Sequence, residues 1–428
     1  MFAPQGDVHY SSLKGFRSER RDKVSRDLRK IPFSPPDIRA EDIAAVTACL
    51  ESGWITSGPI GERFSHAISE YCGTEKTVLT NSCTAALELA LRILNVGPGD
   101  EVIVPAYTYT ASASVVCHVG AQLVLVDTAP GDYFPSPATI AEAVSPRTKA
   151  IIVVDFAGIP YPVEELRDLV IGKGRVSDSA FAPQDRPAII VDGAHSIGAS
   201  RRGAQNGSLG DFTAFSFHAV KNITTAEGGA LTWNSRNQFD SEECATVLKR
   251  MTLHGQTKDA LTKNKAGSWE YDIVDTAYKM NMPDVLAAIG YSQFKRVDEV
   301  TARRHDLLSL YEQHLSEAFH LLKHQGSDWR SSAHLAIVEL DESYAPLRNE
   351  IISRLGERGV AANVHYKPLP LLTAYRKLGF SPENYPHAME KYSRELTLPL
   401  HTLLSDDDAI YVAETLNHVV SELESTKK

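Results

Sequence analysis

Residues 188–192 read Ala-Ile-Ile-Val-Asp, a short run of apolar residues that ends in an acid. Runs of the same kind are EVIVPA (101–106), QLVLVD (122–127), AIIVVDF (150–156), TAFSF (213–217) and ALTW (230–233). Most of them are continuously apolar rather than alternating, which is typical of strands that are covered on both faces. Helix-length segments separate several of the runs. The sequence therefore predicts an α/β fold with a mostly parallel central sheet flanked by helices.

The C-terminal part of the chain has a different order of elements. The apolar spacing is helical from about residue 285 to 318, and strands are predicted at 334–340 and 361–366. Further helices are predicted around 346–358 and 406–423. This mixture predicts a smaller C-terminal α+β domain beside the large one.

These patterns divide the chain into three regions. Residues 1–30 are rich in Lys and Arg and have little apolar periodicity, so they predict a flexible N-terminal arm. An arm that binds an acidic surface or a partner subunit is the alternative. We assign residues 31–300 to the large domain and residues 301–428 to the small domain. The polar segment 171–187 is predicted to be a loop inside the large domain.

The composition is that of a globular enzyme and excludes several other classes. The chain has 428 residues, of which 43% are hydrophobic and 23% are charged. A formal net charge of −10 argues against nucleic-acid binding, which requires a basic face. No apolar run is long enough to span a bilayer, and the N-terminus has no signal-peptide core. Five scattered cysteines form no metal-binding pattern and favour free thiols in the cytoplasm.

Two charged residues lie where strands of the predicted sheet end. Asp192 ends the run at 188–192, so it is expected at the ligand-binding edge of the sheet. The alternative is an ordinary turn or helix-capping aspartate. Lys221 follows another strand, within SFHAVKNITTAEGG (216–229). A desolvated lysine at this edge has a lowered pKa and becomes a nucleophile, whereas a solvated surface lysine is the ordinary alternative.

Two further motifs could hold a planar, phosphorylated ligand. In NSCTAALELAL (81–91) a polar cluster that includes Ser82 and Thr84 leads into a helix, whose free N–H groups suit a phosphate. Plain helix capping is the alternative. In PAYTYTAS (105–112) either Tyr107 or Tyr109 could lie against a ring, with core packing as the alternative. Phosphate, ring face, ring nitrogen and aldehyde are the four requirements of pyridoxal 5′-phosphate.

The sequence resembles the DegT/StrS sugar aminotransferases, which depend on pyridoxal phosphate, over about residues 32–424. The motifs that carry the resemblance are SGWITSGP (52–59), TNSCTAALELAL (80–91), GDEVIVPAYTYTAS (99–112), VDGAHSIGA (191–199), GDFTAFSFHAVKNITTAEGGAL (210–231) and YKMNMPDVLAAIG (278–290). The resemblance implies the PLP-transferase fold of type I, and it implies a homodimer with shared active sites.

The resemblance also implies roles for matched residues. Lys221 would hold the aldehyde of the cofactor and shuttle the proton, and Asp192 would pair with the ring nitrogen. His195 would lie beside the ring and its 3-hydroxyl, and Tyr109 would stack on the ring. Cys83, through its amide, and Thr84 would hold the phosphate, and Ser216 would add a hydroxyl to it, beside Ser82 of the same polar cluster. Asn281 would come from the neighbouring subunit.

Two positions depart from the pattern that the resemblance implies. Cys83 lies where Gly or Ala is usual in the phosphate loop, and Gly193 lies where Ala is usual after the acid. A backbone donor depends little on its side chain, so neither departure threatens the cofactor site. The Cys83 side chain is nevertheless expected to crowd the site or to make it sensitive to thiol reagents.

The reaction that the resemblance implies is the transfer of an amino group. L-glutamate would be the donor, with 2-oxoglutarate as its product, and a nucleotide-linked keto-sugar would be the acceptor. The stretch KNITTAEGG (221–229) resembles members that aminate C4, and the amino sugar would serve surface polysaccharide, glycan or antibiotic biosynthesis. A sugar dehydratase, a cyclitol (inosose-type) aminotransferase and a regulatory protein that only binds the cofactor are the alternatives. Residues expected to contact the substrate are Thr56, His218, His365 and Tyr366.

Overall fold

The computed structural model describes residues 29–234, 239–257 and 270–427. Its centre is a seven-stranded sheet. In sheet order the strands are β1 (Thr77–Thr80), β9 (Gly229–Trp233), β8 (Phe212–Ser216), β5 (Ala188–Asp192), β4 (Thr148–Val154), β2 (Glu101–Pro105) and β3 (Gln122–Val126). Six strands of this sheet run in one direction, and β9 runs in the opposite direction. The predicted mostly parallel sheet is therefore confirmed, and β1 is a short strand that the sequence patterns missed.

Helices cover both faces of this sheet. The helices of this part of the chain are α1 (Ala40–Glu51), α2 (Pro59–Cys72), α3 (Cys83–Ile93), α4 (Thr110–His118), α5 (Pro137–Ala143), α6 (Val163–Val170), α7 (Ser241–Thr252), α8 (Asp284–Phe294), on which α1 packs, and α9 (Val297–His314), whose Leu307, Leu308 and Tyr311 join the C-terminal core. Ile152 and Ile190 of the central strands pack into the core on the side of α3 and α4. Their chain neighbours Ile151 and Ile189 pack into a second core with α5 and α6. Burial on both faces explains why these strands are continuously apolar.

The C-terminal part forms a second, antiparallel sheet with the strand order β10 (Phe319–Leu321), β12 (Ala336–Leu340) and β13 (Glu395–Leu398). Its helices are α10 (Arg348–Glu357), α11 (Thr373–Lys377), α12 (Pro386–Arg394) and α13 (Asp406–Lys427). A small third sheet joins β11 (Trp329–Arg330) to the hairpin of β6 (Ser200–Arg201) and β7 (Ala204–Gln205). The predicted boundary at residue 300 lies within α9, and this division of the chain stays a prediction.

The predicted strand at 361–366 is wrong. Only Asn363 pairs with β13, through an isolated bridge to Thr397. Two residues further on, the His365 amide donates to the buried carboxylate of Glu395 at 3.1 and 3.2 Å. The His365 ring lies 2.9 Å from the Thr397 hydroxyl. Side chains of β13 thus take the place of backbone pairing, so the segment leaves the sheet.

Other differences concern where elements begin and what lies outside the described residues. Helix α3 begins at Cys83, because the Ser82 hydroxyl caps it by accepting the Ala85 amide at 3.1 Å. The segment 171–187 is a loop, as predicted. Most of the predicted N-terminal arm, residues 1–28, lies outside the described residues. In the described part of the chain, no helix is both long and apolar enough to cross a membrane.

Candidate active site

The loops that follow the central strands surround one cavity of roughly 340 Å³. The carboxyl ends of β2, β5 and β8 contribute to it, as does the start of α3, which follows β1. This is the edge where parallel α/β sheets bind ligands. The predicted site residues that line the cavity are Ser82, Cys83, Thr84, Tyr109, Asp192, His195, Ser216, His218, Lys221, His365 and Tyr366.

Lys221 lies in the loop between β8 and β9, and its side chain points into this cavity. Its amide donates to the His218 carbonyl at 2.9 Å, which closes a tight turn after the strand. Burial lowers the pKa of the Lys221 amine to about 8, although the charges of Cys83 and Asp192 act in the opposite direction. The unprotonated fraction of this amine at neutral pH is therefore much larger than that of a solvated lysine.

Asp192 is the last residue of β5 and is almost completely buried. Its Oδ2 atom accepts the hydroxyl of Ser112 at 2.7 Å, and Oδ1 accepts the Ala194 amide at 3.1 Å. Burial raises the pKa of this carboxyl, whereas the donated hydrogen bonds and the nearby Lys221 lower it. The cavity therefore holds a buried acid and a buried amine whose charges favour each other.

The start of α3 forms the part of the cavity suited to an anion. The Ser82 hydroxyl caps helix α3, which is the alternative to phosphate binding that the sequence left open for this residue. The amides of Cys83 and Thr84 belong to the first turn of an 11-residue helix, where N–H groups have no partner within the helix. Gly229 of β9 lies against this turn, since a Cβ atom there would lie 2.6 Å from the Cys83 nitrogen. This close approach places the β9 end, the helix start and Ser216 around one point of the cavity.

The two candidate tyrosines differ in position. Tyr107 is buried in the core, packs against Tyr133, and donates its hydroxyl to the His365 carbonyl at 3.1 Å. Tyr109 is 59% exposed and lies at the cavity, with its ring centroid 5.7 Å from that of Tyr366. Of the two alternatives, only Tyr109 is placed to face a planar ligand.

Histidine and tyrosine side chains form the opposite wall. His195 Nε2 lies 2.8 Å from the Tyr366 hydroxyl, and its Nδ1 is buried without a hydrogen-bond partner among the described residues. Burial, followed by the charges of Lys221 and His365, holds the pKa of His195 well below its ordinary value. Burial likewise lowers the pKa of His365 to about 3. These imidazoles are neutral at physiological pH and therefore act as hydrogen-bonding groups rather than cations.

Several residues at the site carried no signal that the sequence analysis used. The His334 ring lies 4.3 Å from that of His195, and its Nδ1 is 2.9 Å from the Asn222 side-chain oxygen. Phe33 stacks on His365 at 5.5 Å. His334 lies in the C-terminal part of the chain and follows no strand of the central sheet, so the argument from strand ends could not select it. Ser112 lies in the quoted motif 105–112, so a search for polar groups at that helix start could have found it.

Two predicted residues do not line this cavity. Thr56 is exposed on the segment before α2. The side-chain nitrogen of Asn281, Nδ2, donates to the hydroxyl of Ser57 at 2.6 Å, so Asn281 lies beside the same segment. Both lie outside the cavity of their own chain.

The residues that surround the cavity fit pyridoxal phosphate. The His195 Nδ1 atom needs a partner, a buried acid and an amine of lowered pKa share one wall, and a helix N-terminus faces the same space. A sequence profile of the DegT/DnrJ/EryC1/StrS aminotransferase family matches residues 36–417. The chain belongs to this family. The predictions of an aminotransferase and of pyridoxal phosphate as its cofactor are thus confirmed at the level of the family.

Individual relatives agree with this membership. The aminotransferase is 35% identical over 395 residues to the spore coat polysaccharide biosynthesis protein SpsC of Bacillus subtilis, covering 91% of this chain and 97% of SpsC. Among solved structures, it is similar to Spr1654, a protein of Streptococcus pneumoniae assigned as a sugar aminotransferase. The pyridoxamine-phosphate form of Spr1654 gives a TM-score of 0.87 at 46% identity, over 92% of this chain and 100% of that one.

The pyridoxal-phosphate form of Spr1654 gives the same TM-score of 0.87 at 45% identity, with 92% and 99% of the two chains covered. Helicobacter pylori PseC, an aminotransferase involved in the biosynthesis of pseudoaminic acid, gives a TM-score of 0.80 at 26% identity. That comparison covers 92% of this chain and 100% of PseC. The fold of this chain is therefore the one that these aminotransferases have.

Proposed function

We propose that this aminotransferase transfers the amino group of L-glutamate to C4 of a nucleotide-linked keto-sugar. The observation that carries the proposal is the placement of a buried acid, Asp192, and an amine of lowered pKa, Lys221, on one cavity. Relatives whose names refer to sugars or polysaccharides support a sugar as the acceptor. The C4 position and the nucleotide rest on the stretch KNITTAEGG (221–229).

Each residue of the cavity has a distinct task in this proposal. Bound pyridoxal phosphate supplies an electron sink for the carbanion that forms at the substrate. Lys221 would hold the aldehyde group and, as a free amine, would take the proton from the α-carbon of glutamate. Asp192 would keep the ring nitrogen protonated, because a buried carboxylate stabilises a cation beside it. The amides of Cys83 and Thr84 would bind the phosphate at the helix N-terminus.

The outer part of the cavity is polar and suits a hydroxylated ring. His365 and Tyr366 come from the small domain, while His218 comes from the lysine loop and lies 3.6 Å from the exposed carboxylate of Glu227. Imidazoles and hydroxyls are hydrogen-bonding partners for sugar hydroxyls. A cyclitol ketone would meet the same groups, so it is the competing acceptor.

A panel of acceptors tests this proposal. The purified protein is incubated with glutamate and with 4-keto and 3-keto sugars linked to UDP, dTDP or GDP, and with an inosose, and products are identified by mass. We expect an amino sugar and 2-oxoglutarate with a 4-keto nucleotide sugar. Lys221→Ala is the control and should form neither product. Turnover of the inosose alone, or of 3-keto sugars alone, would contradict the proposed acceptor.

We further propose a homodimer in which each cavity receives groups from both subunits. Thr56 and Asn281 lie outside the cavity of their own chain. Large apolar side chains are exposed nearby, with 61% of Ile43, 55% of Leu50 and 52% of Ile55 accessible. Such exposure on and beside α1 supports an interface with a second copy of this chain.

Mixing two inactive variants tests the shared site. Asn281→Ala and Lys221→Ala dimers are mixed under conditions that exchange subunits, and exchange is verified by native mass spectrometry. Hybrid dimers should contain one intact site, so activity should return to as much as roughly a quarter of the wild-type value per subunit if half of the dimers are hybrids. Verified exchange without any recovered activity would refute shared sites.

A cytoplasmic location completes the proposal. All five cysteines are free, and four of them are buried. Free thiols persist in reducing compartments such as the cytoplasm. Fractionation of the producing cells, with the activity followed in each fraction, tests this location; activity confined to an extracellular fraction would contradict it.

A further inference from the structure

The Asp192 carboxylate is held by donors from three separate elements. Ser112 of α4 donates its hydroxyl to Oδ2 at 2.7 Å, and the Ala194 amide after β5 donates to Oδ1 at 3.1 Å. The thiol of Cys83, at the start of α3, lies 3.7 Å from the same Oδ1. Ser112 is completely buried, and Cys83 is nearly so. Because the donors are buried, the packing of the three elements sets the geometry of these bonds.

The hydroxyl of Ser112 is itself fixed by a neighbour. Thr108, which is also buried, places its hydroxyl 2.9 Å from the Ser112 hydroxyl. An ionised carboxylate can only accept, so the single Ser112 proton points to Asp192 and Thr108 must donate to Ser112. The resulting chain runs from Thr108 through Ser112 to Asp192, and hydrogen bonds in such a chain strengthen each other.

Some lone pairs of the Asp192 carboxylate accept no hydrogen bond from the protein and are available to a ligand. A carboxylate offers about four lone-pair sites, two on each oxygen. Oδ1 accepts the Ala194 amide, and the Cys83 thiol shares its single proton between this oxygen and the Ala214 carbonyl, whereas Oδ2 accepts Ser112 alone. Oδ2 therefore keeps one acceptor site, and Asp192 lines the cavity. The donors thus leave one oxygen of Asp192 able to accept a single N–H from the cavity.

We propose that Ser112 and Cys83 are positioning residues for Asp192, which fix the orientation and the ionised state of its carboxylate so that Oδ2 accepts the ring N–H of the cofactor. This inference rests on the proposed role of Asp192. Ser112 makes the larger contribution because a hydroxyl is a strong donor at 2.7 Å, whereas a thiol is a weak donor at 3.7 Å.

The Cys83 thiol has a second partner that explains its direction. Its sulfur lies 3.4 Å from the Ala214 carbonyl as well as beside Asp192, so the thiol is directed toward the ends of β5 and β8. Burial raises the pKa of this thiol well above its ordinary value, and the charge of Asp192 adds to that effect. The thiol therefore stays protonated as a donor. The expected crowding of the phosphate loop and sensitivity to thiol reagents stay predictions.

The test measures the protonation of the cofactor ring directly. Holoprotein is prepared with pyridoxal phosphate labelled with ¹⁵N in the ring, and the ¹⁵N chemical shift distinguishes a protonated from a neutral ring nitrogen. We expect Ser112→Ala to move this shift toward the neutral value, and to lower kcat by about tenfold to a hundredfold with little change in KM. Ser112→Thr retains a hydroxyl and should restore both quantities, while Cys83→Ala should lower kcat by only about threefold.

The controls separate this inference from the proposed function. Ser114→Ala removes a half-buried hydroxyl from the same helix. Among the described residues this hydroxyl donates only to the Ala111 carbonyl, at 3.5 Å, so the variant should leave the ¹⁵N shift and kcat unchanged. Asp192→Asn should move the ring shift fully to the neutral value; if it does not, the proposed role of Asp192 is wrong. If Asp192→Asn moves the shift but Ser112→Ala leaves it at the wild-type value, only the positioning role is refuted.

Discussion

Replacing Lys221 by methionine is predicted to stabilise the apoprotein at neutral pH. The pKa of Lys221 is lowered from 10.5 to about 8, chiefly by burial. The unfolded chain therefore binds more protons than the folded chain between these two values, and stability rises with pH across that window. The cost of burying the amine is present in full below about pH 8 and is absent above about pH 10.5. At 1.36 kcal/mol per pKa unit, this cost is about 3 kcal/mol.

Methionine has a similar length and no charge, so Lys221→Met should remove this cost. Urea unfolding of the apoprotein at fixed protein concentration measures the difference, because dimer stability depends on concentration. We expect the variant to be more stable by about 2–3 kcal/mol at pH 7, with the difference shrinking as the pH rises toward 10. Lys367→Met, at an exposed position, is the matched control and should change stability by less than about 0.5 kcal/mol. A Lys221→Met apoprotein no more stable than wild type at pH 7 would refute the buried-amine argument.

Three further substitutions test other parts of the cavity. Asp192→Asn should retain part of the cofactor but lower turnover by at least about a hundredfold, since the ring nitrogen loses its counter-charge; near-normal kcat would contradict this role. Tyr366→Phe removes the hydroxyl 2.8 Å from His195 and should lower the unfolding free energy by about 1–3 kcal/mol in urea denaturation, and an unchanged value would argue against that bond. Gly229→Ala places a Cβ atom 2.6 Å from the amide that begins α3, so cofactor affinity in fluorescence titrations should fall by about tenfold or more. Gly356→Ala, where a Cβ meets nothing within 4 Å, should bind normally, and equal affinities for the two variants would refute the close packing.

The sequence predicted the central sheet well because burial on both faces leaves a pattern that is hard to mistake. Strands such as β4 and β5 are apolar at every position, since alternate residues enter two different cores. Strand β1 was missed because it has four residues, two of them threonines, and no comparable run. The segment 361–366 has strand-like composition, yet contacts from Glu395 and Thr397 decide its backbone. Those contacts join residues about thirty positions apart, which no local pattern records.

The same distinction applies to the site. Asp192 and Lys221 were predictable because Asp192 ends β5 and Lys221 lies in the loop after β8, and the ends of these strands meet at one edge of the sheet. The bond between Ser112 and Asp192 spans 80 positions, and the contact between His195 and Tyr366 spans 171. Such pairs depend on how helices and the small domain pack against the sheet. The sequence therefore predicts which chemistry the cavity holds, whereas the structure shows which neighbours support it.

The central claim is that Lys221 is the amine to which pyridoxal phosphate binds. Reduction of the holoprotein with borohydride, followed by proteolysis and mass spectrometry, measures this directly because the reduced link to the lysine is permanent. The phosphopyridoxyl group should be found on the single peptide that contains Lys221, and the Lys221→Ala variant should retain none. Attachment to another lysine, or an equal amount of adduct in Lys221→Ala, would contradict the account.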